Sequence, residues 1–291
     1  MIDIRNDFFF RLRRGIQHAM SRSSRIFPRH FHPGHFEVVR LGIEIPGLPS
    51  NFDGYRIVHI SDIHYGQWIS ADRIAGAAGI INRQRPDMVA ITGDFVSYSG
   101  EEIGGMSAGL KALQAKDGVV AVLGNHDYWV DAAKVRSVLC RNSVRELNND
   151  VYGVTRAGGK LYFAGIGSVM LKKHRIDDVL NNLPADGPAV LLAHEPFFAD
   201  AAAGTKRFSL QLSGHSHGGQ CIVPGLGSPF LGGRHRKYCA GKYRVGDMML
   251  YTNRGLGTNS FWVRINCPPE ITVIDLRVPR TARLEKVTAA V

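Results

Sequence analysis

From residue 55 onward the chain alternates between short runs that are apolar throughout and longer stretches with one apolar face. "YRIVHIS" (55–61), "DMVAITG" (87–93), "GVVAVLG" (118–124), "KLYFAGI" (160–166), "PAVLLAH" (188–194) and "FSLQLSG" (207–213) have strand length. Helical patterns cover residues 71–85, 105–116 and 131–140, and the first is stopped by Pro86, whose ring cannot continue a helix. Strands that are apolar on both faces need cover on both. The pattern therefore predicts an α/β fold with helices over a sheet. "DMMLYTN" and "EITVIDLRV" read as two further strands with no helix between them, and the stretch before residue 55 as edge strands and turns. No repeat, low-complexity tract or linker interrupts the rest, so residues 41–291 are expected to form one domain.

The first 40 residues differ. They hold eight arginines against Asp3, Asp7 and Glu37. On a helical wheel Phe9, Leu12, Ile16 and Met20 share one face, and Arg11, Arg14, His18, Arg22 and Arg25 the other. This is the pattern of a helix lying in a membrane interface. The competing reading is a helix docked on its own domain with a solvated basic face. Asp3 and Asp7 argue against an organellar transit peptide. Residues 1–40 are thus expected to be a basic amphipathic N-terminal segment, with peripheral membrane contact through residues 1–30. No apolar run approaches the roughly 18 to 20 residues of a spanning helix, and no secretory signal pattern opens the chain. The expected location is cytoplasmic, with the inner membrane face as the further option.

Charge and cysteines narrow the chemistry. A net charge of +11 favours anionic partners such as phosphate esters, nucleic acid or an acidic membrane surface. The four cysteines, at 140, 221, 239 and 267, form no CxxC pair. A thiolate zinc site or redox pair is therefore not expected, and they read as reduced thiols.

The polar residues fall at strand ends. "YRIVHI" runs into Asp62 and His64, "DMVAIT" into Gly93-Asp94, and "GVVAVL" into Gly124-Asn125-His126-Asp127. "PAVLLA" runs into His194-Glu195, and "FSLQLS" into Gly214-His215-Ser216-His217. Taken alone, "GHSHGGQ" (214–220) fits a glycine-rich turn as well as a metal site. In wound α/β folds, however, ligands bind at the carboxyl ends of strands, and five such ends here carry metal-ligand residue types. Histidines, carboxylates and an amide without thiolate suit Mn²⁺, Fe²⁺ or Zn²⁺. Asp62, His64, Asp94, Asn125, His194, His215 and His217 are too many for one open tetrahedral ion and suit a pair.

The ordered set Asp62-x-His64, Gly93-Asp94, Gly124-Asn125-His126-Asp127, His194 and Gly214-His215-x-His217 resembles the calcineurin-like metallophosphoesterases over residues 55–220. "GHSHGGQ" and "YTNRGLGTNSFWVRINCPPEITVIDL" look like a bacterial subgroup of small membrane-associated phosphoesterases, some of which act on lipid-linked UDP-sugars. Ser216 stands where that subgroup usually has threonine, and no membrane-spanning or export segment is legible here. The resemblance implies a four-layer αββα sandwich of two mixed sheets, with a dinuclear site at the strand C-terminal ends. It implies that Asp62, His64 and His217 hold one ion, that Asn125, His194 and His215 hold the other, and that Asp94 bridges them. A bridging hydroxide would attack phosphorus. His126 would contact a phosphoryl oxygen or protonate the leaving group, and Asp127 would orient His126.

The implied reaction is hydrolysis of a phosphodiester, pyrophosphate or phosphomonoester, of a lipid-linked or nucleotide substrate at the membrane surface. A phosphoprotein phosphatase or a nuclease could use the same core, although no interleaving of aromatic and basic residues supports a nucleic-acid groove. Remaining features carry less. His174, His235 and the histidines at 30, 32 and 35 read as surface residues. The basic stretch 232–244 reads as a phosphate or headgroup clamp or as a solvated loop, and Arg254 as a substrate contact or a structural residue. Tyr128, Trp129 and Trp262 read as packing aromatics, with a cap over the site as the alternative.

Overall fold

The computed structural model describes residues 36–66, 68–97, 103–228, 231–259 and 263–279. The expected amphipathic helix, the histidines at 30, 32 and 35 and Trp262 lie outside the described residues. The elements in chain order are β1 (Glu37–Glu44), β2 (Arg56–Ile60), α1 (Ala71–Arg83), β3 (Met88–Ile91), α2 (Ser107–Lys111), β4 (Val119–Ala121), α3 (Asn125–Val130), α4 (Ala132–Arg141) and β5 (Val144–Glu146). They continue with β6 (Asp150–Arg156), β7 (Gly159–Gly165), α5 (Ile176–Asn182), β8 (Ala189–Leu192), α6 (Ala199–Gly204), β9 (Leu210–Ser213), β10 (Gly241–Val245), β11 (Met248–Thr252) and β12 (Glu270–Arg277).

These strands form two six-stranded sheets, ordered β1-β12-β2-β3-β4-β5 and β10-β11-β9-β8-β7-β6. Both are mixed. In the first, β2 to β5 run parallel and β12 is antiparallel to β2. In the second, β7, β8, β9 and β11 run parallel, with β6 and β10 antiparallel at the edges. The layering follows from the alternation of side chains along each strand. On β3, Met88 and Ala90 enter the cluster between the sheets, facing Phe163, Leu192 and Leu212. Val89 and Ile91 point the other way, onto Ile74, Ala77 and Ile81 of α1 and Val135, Val138 and Leu139 of α4. The second sheet does the same, with Ala164 and Leu191 packed on Val179 of α5 and Ala199 and Ala202 of α6. Three apolar clusters between four layers make the αββα sandwich.

Most elements lie where the periodicity puts them. The stretch 105–116 forms only the short α2, preceded by a 3-10 turn at Ile103–Met106. β1 begins at Glu37 and pairs with β12 through all eight residues, so this strand crosses the expected domain boundary after residue 40. Three strands gave no sequence signal: β5, which has three residues, β6, and β10, which overlaps the end of the basic stretch 232–244. Its Lys242 and Arg244 are exposed while Val245 is buried, the charged-edge arrangement that discourages further pairing. Among the described residues no helix is long and apolar enough to cross a membrane.

Candidate metal centre

The carboxyl ends of β2, β3 and β4 in one sheet and of β8 and β9 in the other meet at one rim. There the loops place Asp62, His64, Asp94, Asn125, His126, His194 and His217, all buried, with His215 half-buried. The backbone adopts an uncommon conformation to do so. Asp62 and His64 have φ of +49°, Asp94 and His217 +53°, and His215 +69°. Such residues cost on the order of 1–2 kcal/mol each and persist only where their surroundings fix them. Here hydrogen bonds between strand ends do so: Asp62 N donates to Gly93 O (2.9 Å), His64 N to Asp94 O (3.0 Å), Gly214 N to His194 O (3.0 Å) and Gly257 N to Asp62 O (2.7 Å).

Two glycines allow the approach. A Cβ on Gly124 would lie 2.2 Å from Asp94 Oδ1, and one on Gly214 1.9 Å from Ser61 Oγ and 2.2 Å from Asp62 Oδ2. The glycine that opens "GHSHGGQ" is thus required by packing against Asp62, and the turn and the site are one structure.

The donor atoms fall into overlapping groups: Asp62, His64 and His217; Asp94, His194 and His215; and His64, Asp94 and His126. His64 Nε2 lies 3.0 Å from His217 Nε2, and His217 Nε2 lies 3.2 Å from Asp62 Oδ1. On the other side, His215 Nδ1 is 3.2 Å from His194 Nε2, which is 3.1 Å from Asp94 Oδ2. The same Asp94 oxygen is 3.6 Å from His64 Nε2, so it faces both groups, while Oδ1 accepts from His126 N at 2.8 Å. Ligands about 2.0–2.1 Å from a shared ion stand about 3.0–3.4 Å apart, and these separations match. Asn125 supplies an independent sign. Its Oδ1 is buried with no hydrogen-bond partner, a costly state for an acceptor that a cation would relieve. The residues present therefore fit divalent metal.

Other groups orient the imidazoles, as is usual around metals. Thr92 O sits 2.6 Å from His194 Nδ1, and Ser97 Oγ 2.8 Å from His64 Nδ1. At His126 the partner of Nδ1 is Ser97 O, at 3.2 Å. Asp127, which the resemblance implies would orient His126, also binds backbone. Its carboxylate accepts from Phe95 N (2.7 Å), Val96 N (3.2 Å) and Gly124 N (2.9 Å), so it holds two strand-end loops together and starts α3. Burial, with the nearby charge of Asp94, pushes Asp127 up to about 8. Burial pulls His215 down to about 3, reinforced by His194, and burial together with His217 holds His64 well below its usual range. Both rest in the neutral form that ligates metal. Burial opposes the charge on His194, but the Asp94 carboxylate reverses this and holds it well above its usual value.

Several neighbours gave no sequence signal. Arg264 is buried and donates to the carbonyls of Gly257 (Nε, 2.9 Å) and Arg254 (2.7 Å), while Nη2 stands 3.4 Å from His217 Nδ1. Thr92, Ser97 and Arg264 act through contacts between separate segments of the chain, which no local motif encodes. Arg254 is structural, ion-paired to buried Glu270 and to Glu37. His174 and His235 are half-buried rather than surface residues, because His174 packs on Phe198 (5.6 Å) and His235 on His215 (5.0 Å). Of the basic stretch, Lys237 pairs with Asp200 and Arg236 donates to Leu231 O. Tyr128 is half-buried and accepts from Asn148 Nδ2, whereas Trp129 stands exposed at the site. Among the described residues the four cysteines are unbridged, with Cys221 and Cys267 buried, Cys239 half-buried and Cys140 exposed.

The family model described as Calcineurin-like phosphoesterase matches residues 55–219, the span that carries every one of these donors. The chain belongs to the calcineurin-like phosphoesterase family. It is 30% identical over 259 residues to the uncharacterized metallophosphoesterase YkuE of Bacillus subtilis (strain 168), covering 86% of this chain and 89% of the relative. It is 27% identical over 254 residues to phosphodiesterase YaeI of Escherichia coli (strain K12), covering 86% and 92%. This phosphoesterase is accordingly a hydrolase of phosphoric esters, and its His and Asp clusters are groups that could hold the family's divalent metal.

Proposed function

We propose that the phosphoesterase uses two divalent ions, Mn²⁺, Fe²⁺ or Zn²⁺, to cleave a phosphodiester or pyrophosphate bond. Asp62, His64 and His217 would hold one ion, Asn125, His194 and His215 the other, and Asp94 both. The observation that carries the reading is the single Asp94 oxygen facing both donor groups, 3.1 Å from His194 Nε2 and 3.6 Å from His64 Nε2. Bound there, the ions would supply Lewis acidity toward phosphoryl oxygen and water. His126 stands at the cleft beside Asn125 and His215. Its Nδ1 faces Ser97 O, and at this place its ring would meet a phosphoryl oxygen or give a proton to the leaving group. Hydrolysis joins a water oxygen to phosphorus, breaks the ester P–O bond and places one proton on the departing oxygen.

The likeness to a protein named phosphodiesterase and the net charge of +11 support a diester or pyrophosphate with a lipid or nucleotide part, met at the inner membrane face through residues 1–30. Flotation of the full chain and of a variant lacking those residues with anionic liposomes tests that location. Purified protein supplemented with Mn²⁺ is expected to hydrolyse bis(4-nitrophenyl) phosphate. His126→Ala should lower kcat by about 10²–10⁴-fold with metal content, measured by mass spectrometry, unchanged. Comparable turnover of a phosphopeptide would favour the protein-phosphatase alternative. No turnover of any ester, or an unaffected His126→Ala variant, would overturn the proposal.

A further inference from the structure

The cleft beside the donor groups is lined by apolar as well as polar side chains. Its volume is about 450 Å³, and its lining joins Asn125, His126 and His215 to Trp129, Val130 and Met170. Asn125 is 2% and His126 5% exposed, whereas Trp129 is 57% and Met170 38% exposed. Leaving an indole open to water forgoes apolar burial, and an apolar patch beside a reactive site marks a ligand surface. Both residues are held by the site itself. Trp129 follows His126 by three positions on α3, the spacing that puts two side chains on one helix face. Its ring lies 4.8 Å from that of His126 at 63°, an edge contact. Met170 sits in a turn fixed by buried Glu195, which follows His194 and accepts from Ser168 Oγ (2.5 Å), Val169 N (3.0 Å) and Met170 N (3.2 Å).

We infer that Trp129, backed by Met170 and Val130, binds a flat aromatic ring carried by the phosphoester, an aryl group or a nucleobase, and so selects such esters over those with small or acyl-chain groups. The inference rests on the phosphoesterase reading of the same cleft. A cleft of this volume holds a whole small ligand rather than a phosphate alone. With the phosphate against Asn125, His126 and His215, the ester group has the indole and the thioether left to meet. Every base and aryl ring has a π-face that an indole can stack on.

Wild type, Trp129→Ala and Trp129→Phe, each with Mn²⁺, are to be titrated calorimetrically with phenylphosphonate, octylphosphonate and methylphosphonate, and with adenosine 5′-monophosphate and ribose 5-phosphate. Wild type is expected to bind the two ring-bearing ligands at least about fivefold more tightly than methylphosphonate and ribose 5-phosphate. Trp129→Ala should erase the preference and Trp129→Phe keep most of it. The larger of the two preferences tells aryl group from nucleobase. Equal binding with and without a ring, a preference for octylphosphonate, or a uniform loss in Trp129→Ala overturns the inference. Hydrolysis of bis(4-nitrophenyl) phosphate without ring preference removes this inference alone. Absence of both hydrolysis and phosphonate binding removes the parent reading as well.

Discussion

At the scale of single residues, the site depends on groups that are small as much as on groups that ligate. Gly214 has Ser61 Oγ and Asp62 Oδ2 where a methyl would go, and His215 N, the next amide, donates to Asp62 Oδ2 at 2.9 Å. Gly214→Ala should therefore displace Asp62 from His217. The expected result is metal content well below wild type, with stability reduced by about 1–3 kcal/mol, the usual cost of overpacking. Mass spectrometry and urea melts check the two effects. Asp62, Asp94 and the histidines were legible because their residue types recur at the ends of apolar runs. Trp129 was not. An aromatic residue after a polar strand end looks the same whether it packs inward or faces a cleft, and only the direction of the short α3 decides.

At the scale of elements, local signals and packing agree over most of the chain. α4 begins at Asp131, whose side chain accepts from Lys134 N at 3.0 Å, and its apolar face closes on the first sheet through Val135, Val138 and Leu139. Asp131→Ala removes that cap and should cost about 1 kcal/mol, seen as a lower thermal midpoint with activity per folded molecule retained. The helical reading of 131–140 and the strand readings around it hold because periodicity and burial point the same way. β6 and β10 escaped because they are edge strands. Their exposed positions include Asp150, Gly153 and Thr155 in β6 and Lys242 and Arg244 in β10, so composition hides the alternation that pairing with β7 and β11 makes visible.

At the scale of the whole molecule, the donors join two sheets. Asp62, His64, Asp94 and Asn125 come from the first, and His194, His215 and His217 from the second. A bound ion therefore favours the folded state by mass action, about 2.7 kcal/mol at a hundredfold excess over Kd. Adding Mn²⁺ to chelator-stripped protein should raise the thermal midpoint. EDTA should reverse the gain, and Asp94→Ala should abolish it.

Stability should also fall with acid in metal-free protein. Burial holds His59 down at about 3, against an ordinary 6.5, with Asp62 opposing only in part. The unfolded chain thus binds a proton that the folded chain refuses between those values, so stability is full above about pH 6.5 and is lost as pH falls toward 3. His59→Gln should flatten that slope in urea midpoints measured at pH 7.5 and 5.

The sequence alone determined the α/β alternation, the apolar strands and the order in which donor residues leave them, because each is written within a few consecutive residues as periodicity or residue type. The pairing of strands far apart in the chain, such as β12 with β1 and β2, was decided only in three dimensions. So were the meeting of two sheets at one rim and the carbonyl of Thr92 behind His194. Those contacts depend on segments a hundred or more residues apart being packed together, and nothing in a local run of side chains specifies which remote backbone will stand behind it.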